Sequence, residues 1–142
     1  MAQRKLETLA EDECFALLAE GHVGRLVYQD EFGPVAIPVN YAIAQRSVII
    51  RVEGGAKLAA MQQPRVAFEV DDLDQDQRSG WSVIVRGAGR ELPIEEVPAL
   101  LRHMDGGPPT PWATGIHNTW LEIAAEMVTG RRFGDYQKAV IV

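Results

Sequence analysis

Large apolar and small or polar residues alternate along much of this chain, and the alternation predicts β-strands. Between positions 35 and 43 the odd-numbered residues are bulky, whereas the even-numbered residues Ala36, Pro38, Asn40 and Ala42 are small or polar. Successive side chains of a strand point to opposite faces, so the bulky face is expected to lie in the core. Six strands are predicted in this way: Val23–Tyr28, Val35–Ile43, Ser47–Glu53, Arg65–Val70, Trp81–Glu91 and Trp120–Val128.

Short helices are predicted between these strands. The spacing of Thr8 and Glu11 predicts a capping box at the start of the first helix, and Gly21 is expected to end it in a left-handed conformation. Its apolar face consists of Cys14, Leu17 and Leu18. Two further helices are predicted, one over Ala56–Gln62 and one from Pro98 to His103.

Glycines in the fifth predicted strand indicate how the strands are arranged. Gly87 and Gly89 predict a bend or bulge of the kind found at a barrel corner. Only the helix over Ala56–Gln62 is placed to connect parallel strands. We therefore expect a mostly β fold, a six-stranded antiparallel Greek-key split barrel with short flanking helices, forming a single domain over residues 1–142.

Composition narrows the class of function. The chain has 142 residues, of which 46% are hydrophobic, and its formal net charge is -6. An acidic domain has no general attraction for phosphate backbones, so no nucleic-acid partner is expected. No apolar run is long enough to span a membrane, and no membrane partner is expected either. Cys14, the single cysteine, cannot form an internal disulfide bond, and a reducing cytoplasm is the expected compartment.

Several familiar sites are excluded by spacing. The three histidines are far apart and lack the spacing of metal ligands. A calcium loop beginning at Asp72 would need Gly and Glu where the chain has Gln77 and Val83, so the acidic run is interpreted as a solvated connection between strands. No nucleophile motif is present, and Cys14 is interpreted as a small core residue.

The small face of the second predicted strand has two interpretations. It either accommodates an overlying helix or allows a planar ligand to lie close to the backbone. Pro38 has no N–H group, which places its part of the strand at an edge or beside a bulge.

The segment from Arg51 to Leu58 suggests a phosphate site. A strand ends in Gly54 and Gly55, a helix follows, and Lys57 lies in its first turn. N–H groups at a helix start and an ammonium group attract phosphate, and Arg51 lies on the polar face of the preceding strand. Trp81 either covers a ring system or is a core or dimer-interface anchor.

Four stretches together resemble the flavin-binding split-barrel proteins of the pyridoxamine 5'-phosphate oxidase-like family, with the closest match to small bacterial members. They are VGRLVYQD with PVAIPVNYAI, VIIRVEGGAKLAAM, RVAFEVDDLD and RSGWSVIVRGAGREL, and the ending MVTGRRF also matches. The resemblance covers about residues 8–133 and implies a homodimer with FMN at the subunit interface. It leaves a deazaflavin open as an alternative cofactor.

The resemblance also implies which residues form the flavin site. Pro38, Val39 and Asn40 would line the edge of the ring system, and Arg51 with Gly55, Ala56 and Lys57 would hold the phosphate. Trp81 and Ser82 would complete the pocket from a neighbouring strand, and Arg25 is a weaker candidate for it. The roles of Arg131 and Arg132 stay open. The implied function is a small-molecule oxidoreductase that uses hydride transfer through the flavin, with no catalytic side chain identified. The alternative is a non-catalytic flavin or deazaflavin carrier or sensor.

Overall fold

The structure is a computed structural model that describes residues 6–52, 63–104, 107–109 and 119–134. Its helices are α1 (Glu11–Glu20) and α2 (Val97–Leu101), the latter preceded by a 3-10 turn over Ile94–Glu96. Its strands are β1 (Leu6–Thr8), β2 (Val23–Asp30), β3 (Gly33–Ala44), β4 (Ser47–Val52), β5 (Val66–Asp74), β6 (Ser79–Gly87), β7 (Gly89–Leu92), β8 (Thr119–Ala124) and β9 (Met127–Phe133). None of the described helices is long and apolar enough to cross a membrane.

The nine strands form one sheet in the order β1-β9-β6-β5-β2-β3-β4-β8-β7, and every recorded pairing is antiparallel. The order closes into a ring because β6 continues into β7 and β8 continues into β9. Strand β4 pairs with β8, while β9 pairs with β6, which in turn pairs with β5. The mostly β antiparallel class is confirmed. The strand count differs from the six predicted, since two predicted strands are bent into two segments each and β1 is additional.

The bend in the fifth predicted strand is confirmed at Gly87. The backbone of this residue lies so close to the carbonyl oxygen of Ala124 that an added Cβ would overlap it. The prediction of one unbroken strand over Trp120–Val128 is wrong, because β8 ends at Ala124 and β9 begins at Met127. At this break Glu126 N–H donates to the Arg86 carbonyl at 2.9 Å. Both long strands therefore turn at the same corner.

The interior of the ring is filled by the bulky face of β3 and its counterparts on the other strands. Val39, Tyr41 and Ile43 are buried there, as predicted, and Val35 and Ile37 pack against the same cluster. Helix α1 covers this interior with two fully buried side chains, Cys14 and Leu18. The Tyr41 hydroxyl donates a hydrogen bond of 2.6 Å to the Leu18 carbonyl, which ties α1 to β3.

Both ends of α1 differ from the prediction. Thr8 belongs to β1 and pairs with Arg131, so it does not cap the helix. The helix begins two residues later than a cap at Thr8 would place it, and its N-cap is Ala10. The Ala10 N–H donates to Glu13 Oε1 at 3.4 Å. Gly21 ends the helix with a φ of -88°, which is not left-handed. Its lack of a side chain is needed because an added Cβ would overlap the Tyr41 hydroxyl.

The acidic run lies partly in a strand rather than wholly in a loop. Strand β5 extends to Asp74, and Asp71 and Asp72 pair across to Ser82 and Trp81. The connection itself is shorter than predicted, and Asp74 Oδ1 accepts a hydrogen bond of 3.0 Å from Gln77 N–H within it. The helix predicted over 56–62 lies outside the described residues.

We expect Gly87→Ala to destabilise the fold by about 2 kcal/mol or more, because the added methyl group meets backbone that cannot move independently of the corner. Urea denaturation measures the loss. Ala88→Ser enlarges the exposed neighbouring residue and is expected to change stability by less than about 0.5 kcal/mol. Equal stability of Gly87→Ala and the natural protein would contradict a tight corner at this position.

Candidate functional site

The small face of β3 is covered along one half and exposed along the other. Ala42 and Ala44 are buried in a second apolar cluster, which includes Ile49, Leu92 and Met104. Ala36 and Pro38 are exposed, and Asn40 is half-buried. The interpretation that the small face accommodates an overlying helix holds in part for the second half of the strand, where Leu100 of α2 packs against a cluster that neighbouring strands also form. The first half is an accessible flat surface among the described residues.

Pro38 lies on an open part of β3. Within the described chain β3 pairs with β4 only from Tyr41 onward, whereas it pairs with β2 along Gly33–Asn40. Tyr41 N–H donates to the His22 carbonyl at 3.1 Å, and the alternation of an antiparallel ladder then directs the backbone of even-numbered residues away from β2. The missing N–H of Pro38 therefore removes no bond to β2, and among the described residues no strand pairs with its other side, which agrees with the predicted edge position.

Where β3 and β4 separate, three polar or aromatic side chains form a row across neighbouring strands. Tyr41 pairs with Ile50 as the last recorded pair of these two strands, and Asn40 and Arg51 are the residues that follow it on the outer face. Arg51 in turn pairs with Trp120 on β8. The guanidinium carbon of Arg51 lies over the Trp120 ring, 5.0 Å from its centre. We call this set the Asn40–Arg51–Trp120 row.

The row contains two of the residues expected in a flavin site, and Pro38 lies beside it on the same face. Arg51 is half-buried, and Asn40 Nδ2 donates to the His22 carbonyl at 3.4 Å. Val39 is only 6% exposed and its side chain lies in the barrel interior, so it supports the site by packing. Gly55, Ala56 and Lys57 lie outside the described residues.

Trp81 and Ser82 point to opposite faces of β6. Trp81 is 4% exposed and belongs to the main core, as expected from the interpretation of this residue as a core anchor. Ser82 faces outward and lines a cavity of about 480 Å³ together with Thr8, Thr129 and Arg131. We call it the Ser82 cavity. Its lining contains both Ser82, which the resemblance implies for the flavin site, and Arg131, whose role the sequence left open.

The Ser82 cavity and the Asn40–Arg51–Trp120 row are separated within one chain. Asn40 pairs with Val23 on β2, β2 pairs with β5, and Asp71 on β5 pairs with Ser82. Three strand spacings of about 4.8 Å place Asn40 and Ser82 roughly 14 Å apart on the same outer face. One chain therefore does not bring Ser82 beside Asn40.

Arg25 lies between these two regions and holds two carboxylates. Its Nη1 is 3.2 Å from Glu69 Oε1 and 3.3 Å from Asp71 Oδ2. Burial and the neighbouring Asp71 carboxyl raise the pKa of Glu69 to about 7, and the Arg25 charge opposes this rise only in part. The three groups form a charged cluster, the Arg25 cluster, that changes its proton content near neutral pH.

Arg132 differs from Arg131 in its surroundings. Its Nη2 lies 3.9 Å from Glu13 Oε2 on α1, and its buried Nε has no hydrogen-bond partner among the described residues. It pairs across from Trp81 on the inner side of the sheet, whereas Arg131 pairs with Ser82. The side chains of the two adjacent arginines therefore lie on opposite faces of β9.

The sequence analysis missed Trp120 and the Arg25 cluster. Trp120 was assigned to a strand, but its partner Arg51 is almost 70 residues away in the chain, and only the β4–β8 register joins them. Glu69 and Asp71 are two positions apart on β5, and this spacing in the sequence predicts that they share a face. Nothing in the sequence around them indicates that Arg25 of β2 lies beside them. Among the described residues no group of three or more histidine, cysteine or acidic side chains is arranged to hold a metal ion.

Comparison with known proteins identifies the family. The sequence profile described as pyridoxamine 5'-phosphate oxidase matches residues 10–132. The chain belongs to this family. An uncharacterised family relative from Mycobacterium tuberculosis is 33% identical over 135 residues, which cover 91% of this chain and 86% of the relative.

Two solved structures support the same assignment. The FAD binding protein of Mycobacterium smegmatis is 31% identical, with a TM-score of 0.67 and coverage of 91% of this chain and 99% of that protein. An FAD-binding protein of Mesorhizobium loti is 27% identical, with a TM-score of 0.71 and coverage of 93% and 99%. The split-barrel fold predicted from the sequence is thereby confirmed.

The raised pKa of Glu69 predicts a specific pH dependence of stability. The folded protein holds a proton that the unfolded chain releases near the ordinary value of 4.5, so stability falls as pH rises from about 4.5 through 7. Glu69→Gln is expected to flatten this dependence, measured as the melting temperature between pH 5 and pH 8.

Two further variants control this prediction. Arg25→Gln removes the charge that opposes the rise, so its stability is expected to fall more steeply with pH than that of the natural protein. Thr129→Val alters the same outer face without adding or removing a titrating group, and is expected to keep the natural dependence. An unchanged slope in Glu69→Gln would show that another group titrates instead.

Proposed function

We propose that the protein binds FMN at the interface of a homodimer and acts as a small-molecule oxidoreductase. The observation that carries the proposal is the Asn40–Arg51–Trp120 row beside the exposed edge at Pro38. It combines a flat surface for a ring system with a cation for a phosphate. The FAD-binding relatives support the same class of cofactor, because FAD contains the ring, ribityl chain and phosphate of FMN.

The residues present fit this cofactor. Ala36 and Pro38 are small and exposed, and the outward backbone groups of this edge can face the polar rim of a ring system. Arg51 lies on the strand next to that of Asn40, and we assign it to the phosphate end of a flavin whose ring lies against β3. Lys57 follows Arg51 by six positions, and we keep it as a second phosphate ligand on the strength of the sequence pattern.

The separation of the two halves of the site supports a homodimer. Ser82 lies on the same outer face as Asn40 but roughly 14 Å away along the sheet at ordinary strand spacing, and Arg131 lies one strand further away. A second copy, packed face to face about a twofold axis, would bring its Ser82 cavity over the Asn40–Arg51–Trp120 row. The small-molecule substrate would then enter between the subunits.

In this function the flavin supplies the redox chemistry by accepting and donating hydride. The chain binds the phosphate through Arg51 and Lys57, orients the ring against the β3 edge, and excludes water through the second subunit. Asn40, Trp120 and Pro38 carry no acid–base group, and we assign no catalytic residue.

The lack of such a group at Asn40, Trp120 and Pro38 favours one alternative, a non-catalytic carrier or sensor of a flavin or a deazaflavin. The two functions differ in turnover. After reduction of the bound flavin, an oxidoreductase is expected to pass electrons to quinones or nitro compounds faster than free FMN does. A carrier is expected to show no such acceleration. The single Cys14 is buried, and we keep the reducing cytoplasm as the proposed compartment.

FMN binding is the first test of the proposal. The purified protein is expected to bind FMN in calorimetry with a flavin absorption band and to behave as a dimer in sedimentation. Lys57→Ala is expected to weaken binding by roughly 1.5–3 kcal/mol, the scale of a charge-assisted hydrogen bond.

Arg65→Gln is the matched control for this variant. It also removes one cation, but Arg65 is an exposed partner of Glu126 and lies beyond the corner, at the other end of β5 from Asp71. Its effect on FMN affinity is expected to be small. Absence of FMN, FAD and deazaflavin binding in the natural protein would refute the proposed function.

A further inference from the structure

The proposed face-to-face homodimer determines which strands lie at its centre. Two faces that pack against each other are exchanged by a twofold axis that lies in the plane between them. Strands β2 and β5 are the two that separate β3 from β6 in the sheet. An axis that brings Ser82 of one copy over Asn40 of the other therefore runs along the strands, above the boundary between β2 and β5. Strand β2 of each copy then faces β5 of the second copy.

The Arg25 cluster lies on this boundary. Arg25 on β2 and Glu69 on β5 pair across the two strands, so the exchange of β2 and β5 places Arg25 of one copy opposite Glu69 of the other. In a single chain the Arg25 side chain is 49% exposed, and those of Glu69 and Asp71 are each 25% exposed. Across the axis a cation thus faces carboxyl groups in both directions, which is the charge complementarity of a self-associating surface.

The surroundings of the Arg25 cluster suit burial by a second copy. Apolar side chains that are half-buried in a single chain flank it on the same outer face, namely Val23, Val27, Ala67 and Ile84. Each sheet curves around its own barrel, so two outer faces come closest along the axis and diverge toward β3 and β6. The cluster then lies in the closest contact, and the diverging parts leave room for a ligand beside Asn40.

The proton content of the cluster changes the charge that the dimer must bury. With all carboxyl groups ionised, each copy brings one cation and two carboxylates to the axis, and the two clusters repel each other. One proton on each pair of Glu69 and Asp71 makes the contact neutral. In a single chain burial and the Asp71 carboxyl raise the pKa of Glu69 to about 7, and burial by a second copy favours the protonated form further.

We propose that the Arg25 clusters of two copies meet across the twofold axis and take up protons there, so that the homodimer weakens as pH rises above neutrality. The inference rests on the proposed function, since it assumes the face-to-face homodimer. It adds a regulation of the flavin site, because dissociation separates the Ser82 cavity of one copy from Asn40 of the other.

Other charged groups near the cluster can be distinguished from it. Arg86 on β6 and Arg131 on β9 lie on the same outer face, and arginine keeps its charge at every pH concerned. His22 precedes β2 and lines a cavity of about 190 Å³ with Glu20 and Asp71. Histidine side chains in general titrate near neutral pH, so His22 needs a control of its own.

The dissociation constant of the dimer tests the inference, measured by sedimentation of the full chain without flavin and with saturating FMN. The constant of the natural protein is expected to be about tenfold higher at pH 8 than at pH 6. Glu69→Gln keeps hydrogen-bonding groups but has no proton to lose, and is expected to give equal constants at both pH values. His22→Gln is the matched control and is expected to keep the natural pH dependence.

Subunit exchange between labelled and unlabelled copies provides a second measurement for a dimer that does not dissociate on dilution. Its rate is expected to rise by the same factor between pH 6 and pH 8 in the natural protein and to stay constant in Glu69→Gln. Circular dichroism at each pH confirms that the variants are folded.

Four results would overturn the inference. They are a natural dimer whose dissociation and exchange are equal at both pH values, one that strengthens as pH rises, a pH dependence that persists in Glu69→Gln, and one that disappears in His22→Gln. In each of these cases a dimer that binds FMN leaves the proposed function standing. A chain that stays monomeric at both pH values, with and without FMN, removes both.

Discussion

The close approach of two backbones at one corner determines the architecture of this protein. Gly87 leaves room for the Ala124 carbonyl, and the Glu126 N–H group bonds to the Arg86 carbonyl beside it. Two long strands can therefore bend together, so that their first and second halves pair with different neighbours. Without this corner the sheet would remain open, and the apolar faces of β4 and β5 would not enclose a common core.

Closure of the ring divides the side chains into two sets. Inward residues such as Phe68 and Val83 are fully buried, which leaves the outer face for charged and polar groups. The Arg25 cluster, the Ser82 cavity and the Asn40–Arg51–Trp120 row all lie on that outer face. The candidate chemistry is thus separated from the core, and substitutions in one set need not disturb the other.

Alternation along single strands was sufficient to predict most of the fold. The buried face of β3 and the bend at Gly87 both depend on residues that are close in the chain, and both are confirmed. The capping box at Thr8 is wrong because the motif does not reveal that β9 recruits this residue into a strand. Local spacing cannot weigh a helix cap against a pairing with Arg131, more than 120 positions away.

The candidate site was predictable only where its residues are local. Pro38, Asn40 and Arg51 could be recognised from one small strand face and one polar position before a glycine pair. Trp120 could not, because its relation to Arg51 exists only through the register of two distant strands. The pKa of Glu69 depends likewise on burial and on two other side chains, Asp71 of the same strand and Arg25 of the neighbouring strand.

The side of β3 at Pro38 that is unpaired among the described residues also bears on aggregation. Unpaired backbone at the rim of a sheet is a template onto which strands of other molecules can add, and this is a common start of aggregation. Pro38 interrupts that template, since it offers no donor at the centre of the exposed stretch. This proline thereby makes the edge a poorer partner for a strand of another molecule.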